Sequence, residues 1–263
     1  THTNPHAGTH RHTHTHRGAV GERLAVLEFS GQENYEGLEV RRTGRVSAWV
    51  PVQRGCDHRC TYCIVPYTRG PEKNRDPLHV LAEVRGIAEQ GIPEVTLLGQ
   101  TVNSWSHGDW DFARLLRAVA RVDGIRRVRF TSPHPGDVTP ALIEAMAEEP
   151  AVCGQLHLPA QSGHDRTLKR MLRRYTVASF LDVVERVRAA MPDIALSTDI
   201  IVAFPGETDE EYEATLELMR TGVAAMLVGV GPGAAGQVAL TPPISPSRKA
   251  DTNSAWSRRT RAA

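Results

Sequence analysis

The chain has 263 residues, of which 40% are hydrophobic and 23% charged, which is ordinary globular usage and excludes a collagen-like, fully disordered or membrane-bundle chain. No stretch reaches the roughly 18 uninterrupted apolar residues that a membrane span needs. No charged-then-apolar leader opens it, so a cytoplasmic location is expected, and 31 Lys plus Arg against 30 Asp plus Glu leave a net charge of +1 that points to no class of partner.

In chain order, 1–18 is a low-complexity stretch with His at positions 2, 6, 10, 12, 14 and 16, read as a disordered tail. A linker is expected over 19–45. Alternating strand and helix patterns then fill 46–230. The first strand is expected at Val46–Arg54, with Val46, Ala48, Val50 and Val52 on one face. Asp76 and Pro77 open a helix that Gly91 closes. Strands are expected at Glu94–Gly99, Arg127–Ser132, Gly154–Leu158 and Ile194–Phe204, with a sixth at Val223–Val230. Helices are expected at Asp111–Val122, from Thr139 and Pro140 onward, at 165–174, at 177–190 behind Thr176, and at Thr208–Arg220. Strands alternating with helices imply parallel pairing through βα crossovers. About six strands are too few for an eight-unit barrel. The expected fold is α/β, a partial (open) parallel βα barrel with irregular ends. Chemistry in such folds gathers at the C-terminal ends of the strands. Residues 231–263 carry Pro232, Pro242, Pro243 and Pro246 and read as an irregular tail. GPGAAG (231–236) fits a dinucleotide pattern, but prolines follow where a helix is required, so it is set aside.

Three of the four cysteines, Cys56, Cys60 and Cys63, lie within eight residues in a C-x3-C-x2-C spacing just after the first strand. That is a poor disulfide framework and a good metal or redox site. Three thiolates so close can hold three corners of a cubane iron–sulfur cluster, leaving one iron open. Structural zinc completed by His58 is the weaker reading, because such sites use two separated ligand pairs. The fourth, Cys153, reads as a small core residue.

The motif, with Tyr62 before the third cysteine, resembles the radical S-adenosylmethionine (SAM) superfamily. VPVQRGCDHRCTYCIVPYTRGPEKNRD (50–76), VTLLGQTVNSW (95–105), RFTSPHP (129–135), LHLPAQSGHDRTLKRMLRRYT (156–176) and STDIIVAFPGETDEEY (197–212) are similar to the methylthiotransferase family. VPYTRG and LLGQTVNS favour its branch acting on isopentenyladenosine beside the anticodon of tRNA. Siblings act on threonylcarbamoyladenosine tRNA or a ribosomal protein. The resemblance implies a [4Fe–4S] cluster on Cys56, Cys60 and Cys63, SAM on the open iron, tRNA as substrate, and a reductant such as flavodoxin or ferredoxin. It also implies a second cluster, whose three cysteines are not among these 263 residues, and a C-terminal RNA-binding domain that 222–263 does not match. A fragment that binds a cluster or RNA without turnover is therefore a reading from another class.

Around the implied cofactor, Tyr62, Gly99, Gln100, Asn103, Gln161, Ser162, Arg174 and Asp199 are candidate contacts. Arg174 offers a planar fork for a carboxylate, and Asp199 an acceptor for ribose hydroxyls. Residues 41–75 hold eight Lys plus Arg against two acids, a local +6 suited to a phosphate backbone. The loop IVAFPGE carries Ala203 where the family usually has Gly.

Overall fold

The computed structural model describes residues 42 and 44–220, with the backbone of 227–229 and 236–238. The tail at 1–18, most of the linker, and most of 231–263 lie outside the described residues.

Five strands form two parallel sets, the first three as one sheet and the last two as a pair. They are β1 (Ser47–Pro51), β2 (Glu94–Leu98), β3 (Arg127–Phe130), β4 (Gln155–His157) and β5 (Ala195–Ser197). Val50 stands beside Leu97, which stands beside Phe130. A single bridge from Val128 to Val152 leads on to β4, which pairs with β5 through Leu156 and Leu196. The crossovers are α1 (Pro77–Glu89), α2 (Phe112–Ala120), α3 (Pro140–Glu148) and, between β4 and β5, α4 (Asp165–Arg170) with α5 (Val177–Ala190); α6 (Asp209–Arg220) follows β5.

Each strand buries one face. Val50, Leu97, Val128, Leu156 and Leu196 join a single core with Val84 and Ile87 of α1, Leu115 and Leu116 of α2, Leu142 of α3, and Val183 and Val187 of α5. Each fully buried aliphatic side chain contributes about 1.5–3 kcal/mol. The other face stays open, with Trp49 at 67% exposure.

Helix starts follow their caps. Asp76 accepts from the Leu78 amide at 2.7 Å, Asp111 from Arg114 at 2.8 Å, and Thr139 from Leu142 at 3.2 Å. Thr176 and Ser179 cap α5 reciprocally. These satisfy donors that a helix N-terminus leaves unpaired.

Several boundaries differ from the sequence expectation. Val46 is 64% exposed and precedes β1. The Val52 amide still reaches the Leu98 carbonyl at 2.9 Å, but Gln53–Arg54 turn aside to pair antiparallel with Lys73–Asn74. The helix expected at 165–174 stops at Arg170, and Leu172 adopts φ +56°. The strand expected at Ile194–Phe204 is three residues long, followed by a bridge from Gln161 to Ile200. The strand expected at Val223–Val230 is described only at Leu227–Gly229, and it pairs antiparallel with Gly236–Val238 instead of extending the parallel set.

Ala203 holds φ +57° in the loop after β5. That left-handed conformation costs an L residue roughly 1–2 kcal/mol and costs glycine little. Ala203→Gly should therefore raise the stability of the chain by about 1 kcal/mol in urea titration, net of glycine's greater unfolded-state entropy. An unchanged or lowered midpoint would contradict the account.

Candidate functional site

The chain leaving β1 must reverse within a few residues to bring its cysteines over the strand ends. Gly55 makes this possible. It holds φ +80°, and a Cβ there would stand 2.0 Å from the Pro71 carbonyl oxygen. The Cys56 amide then donates to the Gly70 carbonyl at 3.1 Å, fixing the loop's first leg. A Cys63 amide bond to the Cys60 carbonyl, 3.0 Å, tightens the second turn. The Thr61 amide and hydroxyl donate to the Met171 and Arg170 carbonyls at 3.2 and 3.1 Å, pinning the loop to the end of α4.

Cys56, Cys60 and Cys63 line one cavity of about 190 Å³ and form no disulfide. Its walls come from the loops after all five strands: Thr101 after β2, Ser132 and His134 after β3, Pro159 and Gln161 after β4, and Asp199 after β5. Small-molecule pockets usually span roughly 300–1,000 Å³, so a cluster and a second ligand together would extend into its open mouth. Cys56 is buried, with its sulfur 3.2 Å from the Thr101 hydroxyl. Burial first, and the neighbouring Cys60 and Cys63 thiols after it, push its thiol above the usual range. The protonated thiol is a poor nucleophile, whereas a bound metal deprotonates it outright. Three soft donors facing one space suit an iron–sulfur cluster and leave its fourth iron without a cysteine.

Of the expected contacts, Tyr62, Gln100, Gln161 and Asp199 line the cavity. Burial raises the Tyr62 hydroxyl's pKa, so it remains a neutral donor. The Gln100 Oε1 is buried with no partner, an open acceptor in the wall. Gln161 holds φ +65°, and its amide and carbonyl are engaged by the Asp199 carbonyl and the Ile201 amide, both at 2.8 Å. Only its side chain is available to a ligand. Asp199 Oδ2 lies 3.2 Å from His157 Nε2, while His157 Nδ1 meets the Ser197 hydroxyl at 2.9 Å.

Four expected contacts do not line it. Gly99 is a packing position, since a Cβ would come within 2.8 Å of the Gln53 side chain. Asn103 is buried and clamps the His134 backbone through both its amide atoms, at 2.9 and 2.7 Å. Ser162 is buried against the Thr215 hydroxyl at 3.3 Å. Arg174 is exposed, and its neighbour Arg173 takes the place in the cavity. Two irregular residues, Met171 and Leu172, separate α4 from this pair, so no helical period predicts which arginine faces in.

His58 does not complete a zinc site with the thiols. Its Nε2 meets Asp137 Oδ2 at 3.1 Å and its ring stacks on His134 at 4.1 Å, 13° from parallel. His134 Nδ1 is 3.4 Å from the same oxygen. These three residues group like metal ligands. Yet an ion sits in the plane of each imidazole it binds, and two stacked planes share no such point. The trio is a hydrogen-bonded buttress. The basic run at 41–75 is also partly committed: Arg42 and Arg75 both pair with Glu83. Arg59 and Arg69 are exposed beside the cysteine loop.

His134 carries no signal in the sequence beyond its place in RFTSPHP. It is 5% exposed, and its Nδ1 accepts from the Gly136 amide at 3.1 Å. Burial, then the Arg173 charge, hold its pKa down to about 3. The unfolded chain takes up a proton near pH 6.5 that the folded chain refuses, so stability falls as pH drops from about 6.5 toward 3. The slope from this one group approaches about 1.4 kcal/mol per pH unit at its steepest. Urea titrations of the metal-free chain between pH 7.5 and 4.5 should show that slope, and His134→Gln should flatten it. Equal slopes in both proteins would refute the assignment.

Residues 50–219 match the radical SAM superfamily. The chain is 52% identical over 214 residues to a protein of Parafrankia sp. (strain EAN1pec) named tRNA-2-methylthio-N(6)-dimethylallyladenosine synthase, covering 80% of this chain and 42% of that protein. It is 53% identical over 186 residues to the protein of that name from Saccharopolyspora erythraea, covering 70% and 38%. The chain thus spans about two fifths of these relatives' length. Among solved structures, the radical S-adenosylmethionine methyltransferase TsrM of Kitasatospora setae, with tryptophan and a SAM analogue bound, superposes with a TM-score of 0.58 at 20% identity, over 70% of this chain and 35% of that one. That likeness concerns the fold: five strands in two parallel sets with their C-terminal ends around one cavity. With the cysteine loop seated at those ends and the superfamily match running from β1 through α6, the chain belongs to the radical SAM superfamily.

Proposed function

We propose that these residues form the radical-generating part of a tRNA methylthiotransferase acting on isopentenyladenosine beside the anticodon. The observation that carries the reading is the convergence of three unbridged cysteines on one cavity, in a chain 52% identical to a tRNA-2-methylthio-N(6)-dimethylallyladenosine synthase. Cys56, Cys60 and Cys63 would hold a [4Fe–4S] cluster, with SAM bound beside it in the same cavity. Such a cluster would supply the one-electron reduction of SAM that starts radical chemistry on adenine.

The chain's own residues bind and orient. Asp199, steadied by His157, accepts ribose hydroxyls. Gln100 Oε1, buried without a partner, receives an ammonium or amine N–H. Gln161 offers its side-chain amide, and Tyr62 helps to close the cavity to water. Exposed Arg59 and Arg69 meet RNA phosphates near the mouth, in contacts that weaken as salt rises. A low-potential donor of the flavodoxin or ferredoxin class supplies the electron in a cytoplasmic setting. Among the described residues no helix is long and apolar enough to cross a membrane.

Anaerobic reconstitution of the chain should incorporate about four iron and four sulfide. Cys60→Ala should abolish that cluster. With SAM and dithionite the reconstituted chain should form 5′-deoxyadenosine, read by liquid chromatography. Isopentenylated tRNA in the same reaction should gain no methylthio group, since these residues supply thiols for one cluster only. One zinc per chain, or a cluster retained in Cys60→Ala, would overturn the reading.

A further inference from the structure

Arg173 is the cation of the cavity, and all three of its nitrogens are engaged. Its Nε donates to the Tyr175 hydroxyl at 3.0 Å and its Nη2 to the Pro159 carbonyl at 3.4 Å. Its Nη1 donates to the sulfur of Cys60 at 3.3 Å. The guanidinium lies over the Tyr175 ring, 5.0 Å from its centre. Tyr175 is itself fixed, its hydroxyl bonded to the Pro159 and Ala160 carbonyls at 3.0 and 2.9 Å. Among the described residues no carboxylate forms an ion pair with Arg173, although nearly every other half-buried arginine near the core has one, such as Arg75 with Glu83 or Arg170 with Glu211. A desolvated guanidinium without a carboxylate is costly unless another anion faces it. The only candidate anion among its bonded partners is the Cys60 sulfur.

We infer that Arg173 is a positioning residue that sets the reduction potential of a cluster held by Cys60, through its hydrogen bond and charge at that sulfur. The inference rests on the cluster reading above. A cation and an N–H donor at a ligating sulfur favour the more negative, reduced form. One electron enters from an external low-potential donor, no bond forms or breaks, and Arg173 keeps its protons throughout. Its fixed bonds to Tyr175 and Pro159 hold the Nη1 donor in place, so little reorganisation accompanies the electron.

The test is potentiometric titration of the reconstituted chain without SAM, followed by electron paramagnetic resonance, for the parent and for Arg173→Gln, Arg173→Lys and Arg174→Gln. A tenfold loss of preference for the reduced form corresponds to about 59 mV in a one-electron couple. Arg173→Gln should lower the midpoint by about that amount at unchanged iron content. Arg173→Lys, which keeps the charge without the fork, should fall between Gln and parent. Arg174→Gln, which removes the same charge from an exposed position, should match the parent. Should Arg173→Gln fail to hold a cluster, the Lys variant still decides: a midpoint equal to the parent overturns the inference. Equal midpoints for all variants overturn it too, as does an equal drop for Arg174→Gln, which would reduce the effect to net charge. These readings are independent of SAM cleavage, so an intact potential shift with no 5′-deoxyadenosine would sink the proposed activity and leave the role of Arg173 standing.

Discussion

Everything at the site depends on a contact that leaves no room for a side chain. At Gly55 the chain passes so close to the returning strand that a Cβ would overlap the Pro71 carbonyl at 2.0 Å. Backbone atoms cannot step aside as the end of a flexible side chain can. Gly55→Ala would therefore displace either the return segment or the cysteine loop. In the first case the pairing of Gln53–Arg54 with Lys73–Asn74 is lost, and in the second Cys56 leaves its place over the ends of β1 and β2. The glycine converts a strand end into a platform for three thiols.

Beneath that platform a polar network ties the cavity's loops together. Gln53 is buried at the end of β1, and its side chain spans to the loop after β2, accepting from the Thr101 amide at 3.0 Å and donating to the Ser104 hydroxyl at 3.1 Å. Ser104 in turn donates to Glu72 at 2.7 Å, and Glu72 accepts from Asn74 at 3.0 Å. Thr101, positioned this way, reaches the Cys56 sulfur. The chain of bonds explains why Gly99 must be small: the Gln53 side chain occupies the space a Cβ would need. A residue that resemblance assigns to a cofactor thus serves first to admit the glutamine that orders the loop.

Much of the fold was legible because its signals are local. Asp76, Asp111, Thr139 and Thr176 announce their helices, and alternate burial at Ala48, Val50, Val52 and at Val95, Leu97 announces the strands. The cysteine spacing announced its own chemistry. The strand ends were not legible, because tertiary needs override the pattern there. Ser132, Gln161 and Ala203 all hold positive φ just beyond β3, β4 and β5, where the backbone turns toward the cavity or away from the ladder. Such strain gathers at functional sites and leaves no mark on hydrophobic periodicity. The choice between Arg173 and Arg174 was illegible for a related reason. α4 ends at Arg170 and Leu172 takes φ +56°, so neither arginine falls on a helical period that the sequence records.

The charges around the cavity are not independent of one another. Arg173 faces Cys60, and the same guanidinium is the second largest cause, after burial, of the depressed pKa of His134. With His134 neutral, its Nδ1 can accept from the Gly136 amide, which turns the segment Pro135–Asp137 and brings Asp137 to His58. His58 lies two residues after Cys56 and two before Cys60, so the buttress that holds the middle of the cysteine loop depends on a histidine kept unprotonated first by burial and then by the Arg173 charge. A second positive charge at His134 would repel Arg173 and surrender the Gly136 bond together. The buried positive charge of the site is thus one fixed guanidinium, bonded to the Cys60 sulfur, while His134 beside it stays unprotonated.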